Sequence, residues 1–193
     1  MKQLVFATAN PNKVREVAAM LKDYDLPIVS MKEIGCEDDI PETQDTLEGN
    51  ALQKARYLRD KYQVDCFAED TGLEIDSLNG EPGVYTARYA GPERNADANM
   101  DLVLQKLQGQ DNRQARFRTV FALILDGKEY TFEGKVEGRI GEEKQGEGGF
   151  GYDPLFWPEG HTVNFAQMPL AQKNEISHRG RALQQLKAFL LAQ

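Results

Sequence analysis

Apolar positions along the chain switch between a period of two and a period near 3.6, and the switching predicts alternating strands and helices. Lys2 to Ala7 reads as an opening strand, apolar on both faces at Leu4, Val5 and Phe6, as expected of a strand covered by helices. A polar loop, Thr8 to Lys13, follows. Asn12 suits an N-cap, and Val14, Val17, Ala18 and Leu21 then recur at helical spacing to about Tyr24. A second strand around Pro27 to Ser30 leads to the acidic loop Glu37 to Thr43. The next helix starts near Thr46 with Leu47, Ala51, Ala55, Leu58 and Tyr62 as its buried stripe. Cys66, Phe67 and Ala68 read as a buried strand end, and the period-two pattern resumes at Leu73 and Ile75 after Gly72. Glu69 and Asp70 are thereby predicted at a strand-to-strand corner.

Beyond that corner lies a glycine-punctuated loop, Gly80 to Gly91, with two tyrosines and an arginine. A helix over Arg94 to Gln108 is predicted to bury Ala98, Leu102, Leu104 and Leu107. Two alternating runs, Ala115 to Leu125 and Tyr130 to Ile140, read as an antiparallel hairpin joined at Asp126-Gly127. Gly146 to Gly151 matches G-x-G-x-x-G, but Tyr152-Asp153-Pro154 follows it where a dinucleotide fingerprint would open a helix. It reads instead as a loop handing over to a strand at Leu155 to Trp157. The last helix is predicted from about Ser177, burying Leu183, Leu186, Phe189 and Leu190.

A length of 193 residues suits one domain, and 40% hydrophobic with 28% charged residues describes a globular protein that is neither membrane-bound nor disordered. Ala7-Thr8-Ala9 imitates a signal-peptidase site, yet Leu4-Val5-Phe6 is too short for the apolar core of a leader, so residue 1 is taken as the mature start. Cys36 and Cys66 lie far apart with no C-x-x-C, which fits a reducing cytosol and a cytoplasmic protein. Two histidines are too few for a typical zinc site, so any metal would be Mg²⁺-like and held by carboxylates. The net charge of -8 argues against a nucleic-acid polymer as partner, and a small phosphorylated ligand remains compatible if the cations cluster.

Several stretches offer chemistry beside a plainer reading. Glu69 and Asp70 before Thr71-Gly72 suit either a solvated turn or a hard cation. The strand-loop-helix junction Thr8 to Lys13 offers backbone N–H groups, Thr8 and Asn10 as donors and Lys13 as cation, which suits a phosphate, though many such loops bind nothing. Asn50 and Lys54, one turn apart, share a face that is either surface or directed toward the two acids. Phe150 and Tyr152 flank a ligand or fill core. His178 and Arg179 stand at a helix N-terminus, where the dipole disfavours cations, and a bound anion, a polar ligand edge or a nearby acid such as Glu175 would remove the conflict.

Taken together, T-A-N-P-N-K (8–13), N-A-L-Q-K-A (50–55), A-E-D-T-G-L (68–73), G-V-Y-T-A-R-Y (83–89), G-G-F-G-Y-D-P (148–154) and S-H-R-G (177–180) closely resemble the ITPase-like family. Its members hydrolyse non-standard purine nucleoside triphosphates, those of inosine and xanthosine, to monophosphate and pyrophosphate. The resemblance implies an α/β fold with a long central mixed sheet flanked by helices, two lobes with a nucleotide cleft between them, and a homodimer. By the same resemblance Thr8, Ala9, Asn10, Lys13, Lys54 and Thr71 would hold the triphosphate. Glu42, Glu69 and Asp70 would organise Mg²⁺, with Asp70 also the general base. Phe150, Gly151, Tyr152, Asp153, Lys173, His178 and Arg179 would form the base and sugar pocket. Many relatives carry two aspartates where this chain has Glu69-Asp70. Competing readings are a pyrophosphatase for a different base and a catalytically silent nucleotide sensor.

Overall fold

The computed structural model describes residues 3–22 and 27–192. Lys2 and Tyr24, the predicted ends of the first strand and first helix, lie outside the described residues. In chain order the elements are β1 (Leu4–Phe6), α1 (Pro11–Leu21), β2 (Ile28–Ser30), α2 (Leu47–Tyr62), β3 (Cys66–Ile75), α3 (Ala96–Lys106), β4 (Gln114–Leu125), β5 (Lys128–Ile140), β6 (Phe156–Pro158), α4 (Leu170–Ile176) and α5 (His178–Leu191). The strands form a mixed sheet in the order β2-β1-β3-β4-β5-β6, with β1 parallel to β2 and β3, and β6 antiparallel to β5. Among the described residues no helix is long and apolar enough to cross a membrane.

The chain divides into two compact units. Unit one comprises residues 1–70, 119–134 and 180–193. Its core gathers Leu4 and Phe6 of β1, Val17 and Leu21 of α1, Phe67 of β3, Phe121 and Leu123 of β4, and Leu183 and Leu186 of α5. The Phe6 and Phe67 rings stack in parallel at 4.5 Å, and Phe121 lies 6.0 Å from Phe67. Unit two comprises residues 71–118 and 135–179, and its core joins Leu73, Val103, Phe117, Ile140, Phe156 and Phe165.

Local chemistry explains most boundaries. Asp126 and Gly127 both have positive φ, 49° and 78°, the backbone of a two-residue hairpin turn between β4 and β5. Thr46 caps α2, accepting from the Gly49 N–H. The cap of α1 is Asn10 rather than Asn12. Pro11, which has no N–H and a fixed φ, takes the first helical position, and Asn10 Oδ1 accepts from the N–H groups of Asn12 and Lys13.

Three predictions are corrected. The expected corner at Glu69-Asp70 is absent, and β3 runs unbroken from Cys66 to Ile75. Asp-Thr-Gly turns a chain whose backbone groups are otherwise unmet, whereas these residues lie in a ladder and the two acids have side-chain partners. The buried face of α3 is Asn99, Met100 and Val103, not Ala98, which is exposed. Asn99 is drawn inward because its amide accepts from the Ala90 N–H and donates to the Ala87 carbonyl. On α1, likewise, Glu16 and Val17 are buried and Ala18 is exposed. The sequence reading also missed α4.

Phe67, fully buried between two aromatic rings, sets the core of unit one directly beside the acids of β3. Phe67→Ala is expected to cost about 3–5 kcal/mol in urea unfolding, whereas Tyr85→Ala, at a residue 56% exposed, should change stability by under about 0.5 kcal/mol.

Candidate active site

Unit one builds its polar cluster from three elements. β1 ends at Phe6, and the following loop folds on itself, Thr8 Oγ accepting from the Asn10 N–H at 3.2 Å before Asn10 caps α1. These bonds use oxygen lone pairs, so the Thr8 hydroxyl hydrogen and the Asn10 Nδ2 group retain their donor capacity, whereas the first amides of α1 are already bonded to Asn10. Lys13, in the first turn of that helix, reaches β3 and pairs with Glu69, Nζ to Oε1 2.6 Å, where the Glu69 side chain is fully buried.

The buried face of α2 supplies the other partners. Ala51 and Ala55 are fully buried and small, which lets the helix approach closely, and next to them Asn50 and Lys54 are buried too. Lys54 Nζ donates to a carboxylate oxygen of Glu42 and to the Glu69 carbonyl at 2.8 Å, and stands 4.0 Å from Asp70 Oδ1. Asn50 Nδ2 donates to Asp70 Oδ2 at 3.0 Å. Burial pushes the Asp70 carboxyl above its ordinary range, against the opposing pull of Lys54 and Lys13. Asp70 thus holds its proton more tightly than a surface aspartate does.

Neighbouring residues on β3 address different cations: Glu69 meets Lys13, while Asp70 and Glu42 share Lys54. Among the described residues no three acidic, histidine or cysteine groups form a ready-made metal cage. The donor chemistry nevertheless fits a hard divalent ion. Two carboxylates, Glu42 and Asp70, already converge on one positive charge, and magnesium-like ions commonly take one or two carboxylates and complete their shell with water and phosphate oxygen.

Unit two builds a second cluster around Phe150. Asp153 accepts from the Phe150 N–H at 2.9 Å and from Lys173 Nζ at 2.6 Å, and both members of that ion pair are buried. Gly149 is required there: at φ +71°, a Cβ on it would lie 2.0 Å from the Asp153 carboxylate. Lys173 Nζ and the Arg179 guanidinium sit 5.0 and 5.5 Å from the centre of the half-buried Phe150 ring. Arg179 Nη2 also donates to Thr71 Oγ at 3.3 Å. Tyr152 is 3% exposed and donates its hydroxyl to the Thr86 carbonyl. His178 stacks on Phe117 at 4.7 Å within the core. Glu175, offered as a neutralising acid, is exposed.

Every candidate site residue therefore falls into one of two sets. Thr8, Ala9, Asn10, Lys13, Glu42, Lys54, Glu69 and Asp70 belong to unit one; Thr71, Phe150, Gly151, Tyr152, Asp153, Lys173, His178 and Arg179 belong to unit two. The sequence reading missed Asn164, which is fully buried and donates to the Gln145 and Pro154 carbonyls, bracing the glycine loop that carries Phe150 and Asp153. A polar residue next to Phe165 was its only local signal.

The whole chain is also similar to proteins already known. A curated protein of Flavobacterium johnsoniae named dITP/XTP pyrophosphatase is 54% identical over 190 residues, 98% of each chain. One of the same name from Porphyromonas gingivalis is 53% identical, covering 99% of this chain and 98% of its own. Among solved structures, the Ham1 protein of Staphylococcus aureus superposes with a TM-score of 0.89 at 37% identity over 99% of both chains. A HAM1 protein from Coxiella burnetii gives 0.91 at 35% over the whole of both. The model of the Ham1 family matches residues 4–189, and with relatives of this identity along almost its full length, the chain belongs to that family.

Proposed function

We propose that this protein hydrolyses non-standard purine nucleoside triphosphates, those of inosine, deoxyinosine and xanthosine, to the monophosphate and pyrophosphate. The observation that carries the reading is the array in which the buried Lys54, Glu69 and Asp70 meet the part-buried Lys13 and Glu42 beside the β1–α1 junction. It concentrates two cations and three carboxylates beside the Thr8–Asn10 loop, where a triphosphate and its counter-ion need both signs of charge. The name carried by its relatives, dITP/XTP pyrophosphatase, supports the deoxyinosine and xanthosine substrates. Residues 1–193 would act as one functional domain in the cytoplasm.

Thr8, Ala9, Asn10, Lys13, Lys54 and Thr71 would hold the phosphates. Glu42 and Asp70 would hold a divalent ion, proposed to be Mg²⁺, with Glu69 the third acid, beside Lys13. Bound there, the ion would offset charge on the departing pyrophosphate. Asp70 acts as carboxylate: it orients the attacking water and takes its proton as oxygen bonds to phosphorus and the phosphoanhydride bond to pyrophosphate breaks. Phe150, half-buried and rigidly anchored through Asp153, would stack on the base. Gly151, Tyr152, Lys173, His178 and Arg179 would complete the pocket. Donor groups there match the 6-keto acceptor of inosine and xanthosine, whereas the 6-amino group of adenosine would set donor against donor.

Pyrophosphate release from inosine triphosphate is expected to require Mg²⁺; absence of release with the ion present would overturn the reading. Asp70→Asn, nearly isosteric, should lower kcat about a hundredfold or more with nucleotide binding retained. The same variant has a stability signature. A carboxyl whose folded pKa lies above its unfolded value costs stability when ionised, and the cost fades as pH falls through the folded pKa. In the metal-free protein Asp70→Asn should therefore raise the melting temperature at pH 7, and the gain should shrink toward pH 4.

Arg179→Ala is expected to lose activity on inosine triphosphate far more than on adenosine triphosphate, narrowing a preference of roughly a hundredfold. Equal losses on both would move Arg179 from the base to the phosphates.

We further propose a homodimer. Tyr85 is 56% exposed with the Arg88 guanidinium 5.3 Å from its ring, an aromatic and cationic pair of the kind enriched at interfaces. Sedimentation at micromolar protein should give twice the 21.7 kDa chain mass; the chain mass alone would exclude the dimer.

A further inference from the structure

Asn50 has no part in the reaction as described, yet it bonds directly to the proposed base. It is fully buried on the α2 face that carries Lys54, and both ends of its amide are engaged. Oδ1 accepts from the Gln44 N–H at 2.9 Å, and Nδ2 donates to Asp70 Oδ2 at 3.0 Å. Only one orientation of the amide satisfies both contacts. Reversed, it would set oxygen against the carboxylate and N–H₂ against N–H.

Two consequences follow from this bridge. Holding Oδ2 fixes the rotation of the Asp70 carboxylate, so that Oδ1 is the oxygen turned toward Lys54. Holding the Gln44 N–H fixes the loop that bears Glu42, and Gln53 on the next turn of α2 fastens Thr43 in the same way. An amide suits this place because it donates without carrying charge: it orients the carboxylate and leaves its charge for the cation and the water. A lysine or arginine there would neutralise the acid it positioned.

We propose that Asn50 is a positioning residue for the hydrolytic step, locking the Asp70 carboxylate in the rotation the attacking water requires. The proposal rests on the assignment of Asp70 as base. Its test is a double-mutant cycle on the full chain with inosine triphosphate and Mg²⁺. Asn50→Leu and Asn50→Ser are measured alone and combined with Asp70→Asn, reading kcat, KM and melting temperature.

A bond to a charged acceptor at this site predicts a loss in kcat of about ten- to a hundredfold for either Asn50 variant, with KM within about twofold. In the Asp70→Asn background the same change should cost under about twofold, because nothing remains to be positioned. Equal loss in both backgrounds overturns the proposal and leaves the base assignment standing. Normal turnover by Asp70→Asn alone removes the base assignment and the proposal together. If Asn50→Leu does not fold, Asn50→Ser carries the cycle; failure of both to fold makes Asn50 a purely structural bridge and also overturns the proposal.

Discussion

Two carboxylates buried side by side in one strand are the constraint on which unit one depends. An ionised acid taken from water costs several kcal/mol unless cations and donors meet it, and β3 presents Glu69 and Asp70 together. The rest of the unit is arranged to meet that demand. Helix α1 begins within a few residues of β1 and carries Lys13 in its first turn, close enough to reach Glu69. Helix α2 buries Asn50 and Lys54 among alanines, since only small neighbours let an amide and an ammonium approach the strand. The acidic loop is drawn in behind them, Glu42 to Lys54 and Gln44 to Asn50.

Unit two solves a related problem with the charges reversed. One of its buried cations, Lys173, is matched by Asp153, and the same carboxylate fixes the backbone at Phe150. Buried ion pairs of this kind are poor sources of stability compared with well-packed apolar groups. Their value lies in holding charge at a defined place, and at Asp70 burial opposes that charge by pushing the carboxyl pKa up. Apolar packing offsets such costs: the Phe6, Phe67 and Phe121 rings in one unit, and Phe117, Phe156 and Phe165 in the other.

Local rules read best where the physics is local. The Asp126-Gly127 turn, the Thr46 cap and the apolar stripe of α2 were legible because turn conformation, capping and helical period each involve a few neighbouring residues. The same rules misplaced what distant partners control. Asp70-Thr71-Gly72 reads as a turn in isolation and is strand in the folded chain. Ala98 fits the apolar spacing of α3, but the two bonds of Asn99 rotate the helix face toward a segment nine to twelve residues earlier. Helix α4 was overlooked because seven residues carry too little periodicity to be recognised.

By itself the sequence determined the succession of strands and helices, the acids, amides and cations from which a site would be drawn, and the family motifs, all of which depend on residue type and short spacing. Only the tertiary structure decided which of those groups meet. That Glu69 answers to Lys13 while Asp70 turns to Asn50, that Asn50 ties Asp70 to the acidic loop, and that Arg179 reaches Thr71 are pairings across as much as 108 residues of chain. Their partners are selected by packing of the elements that carry them, and no local pattern of polar and apolar positions encodes that choice.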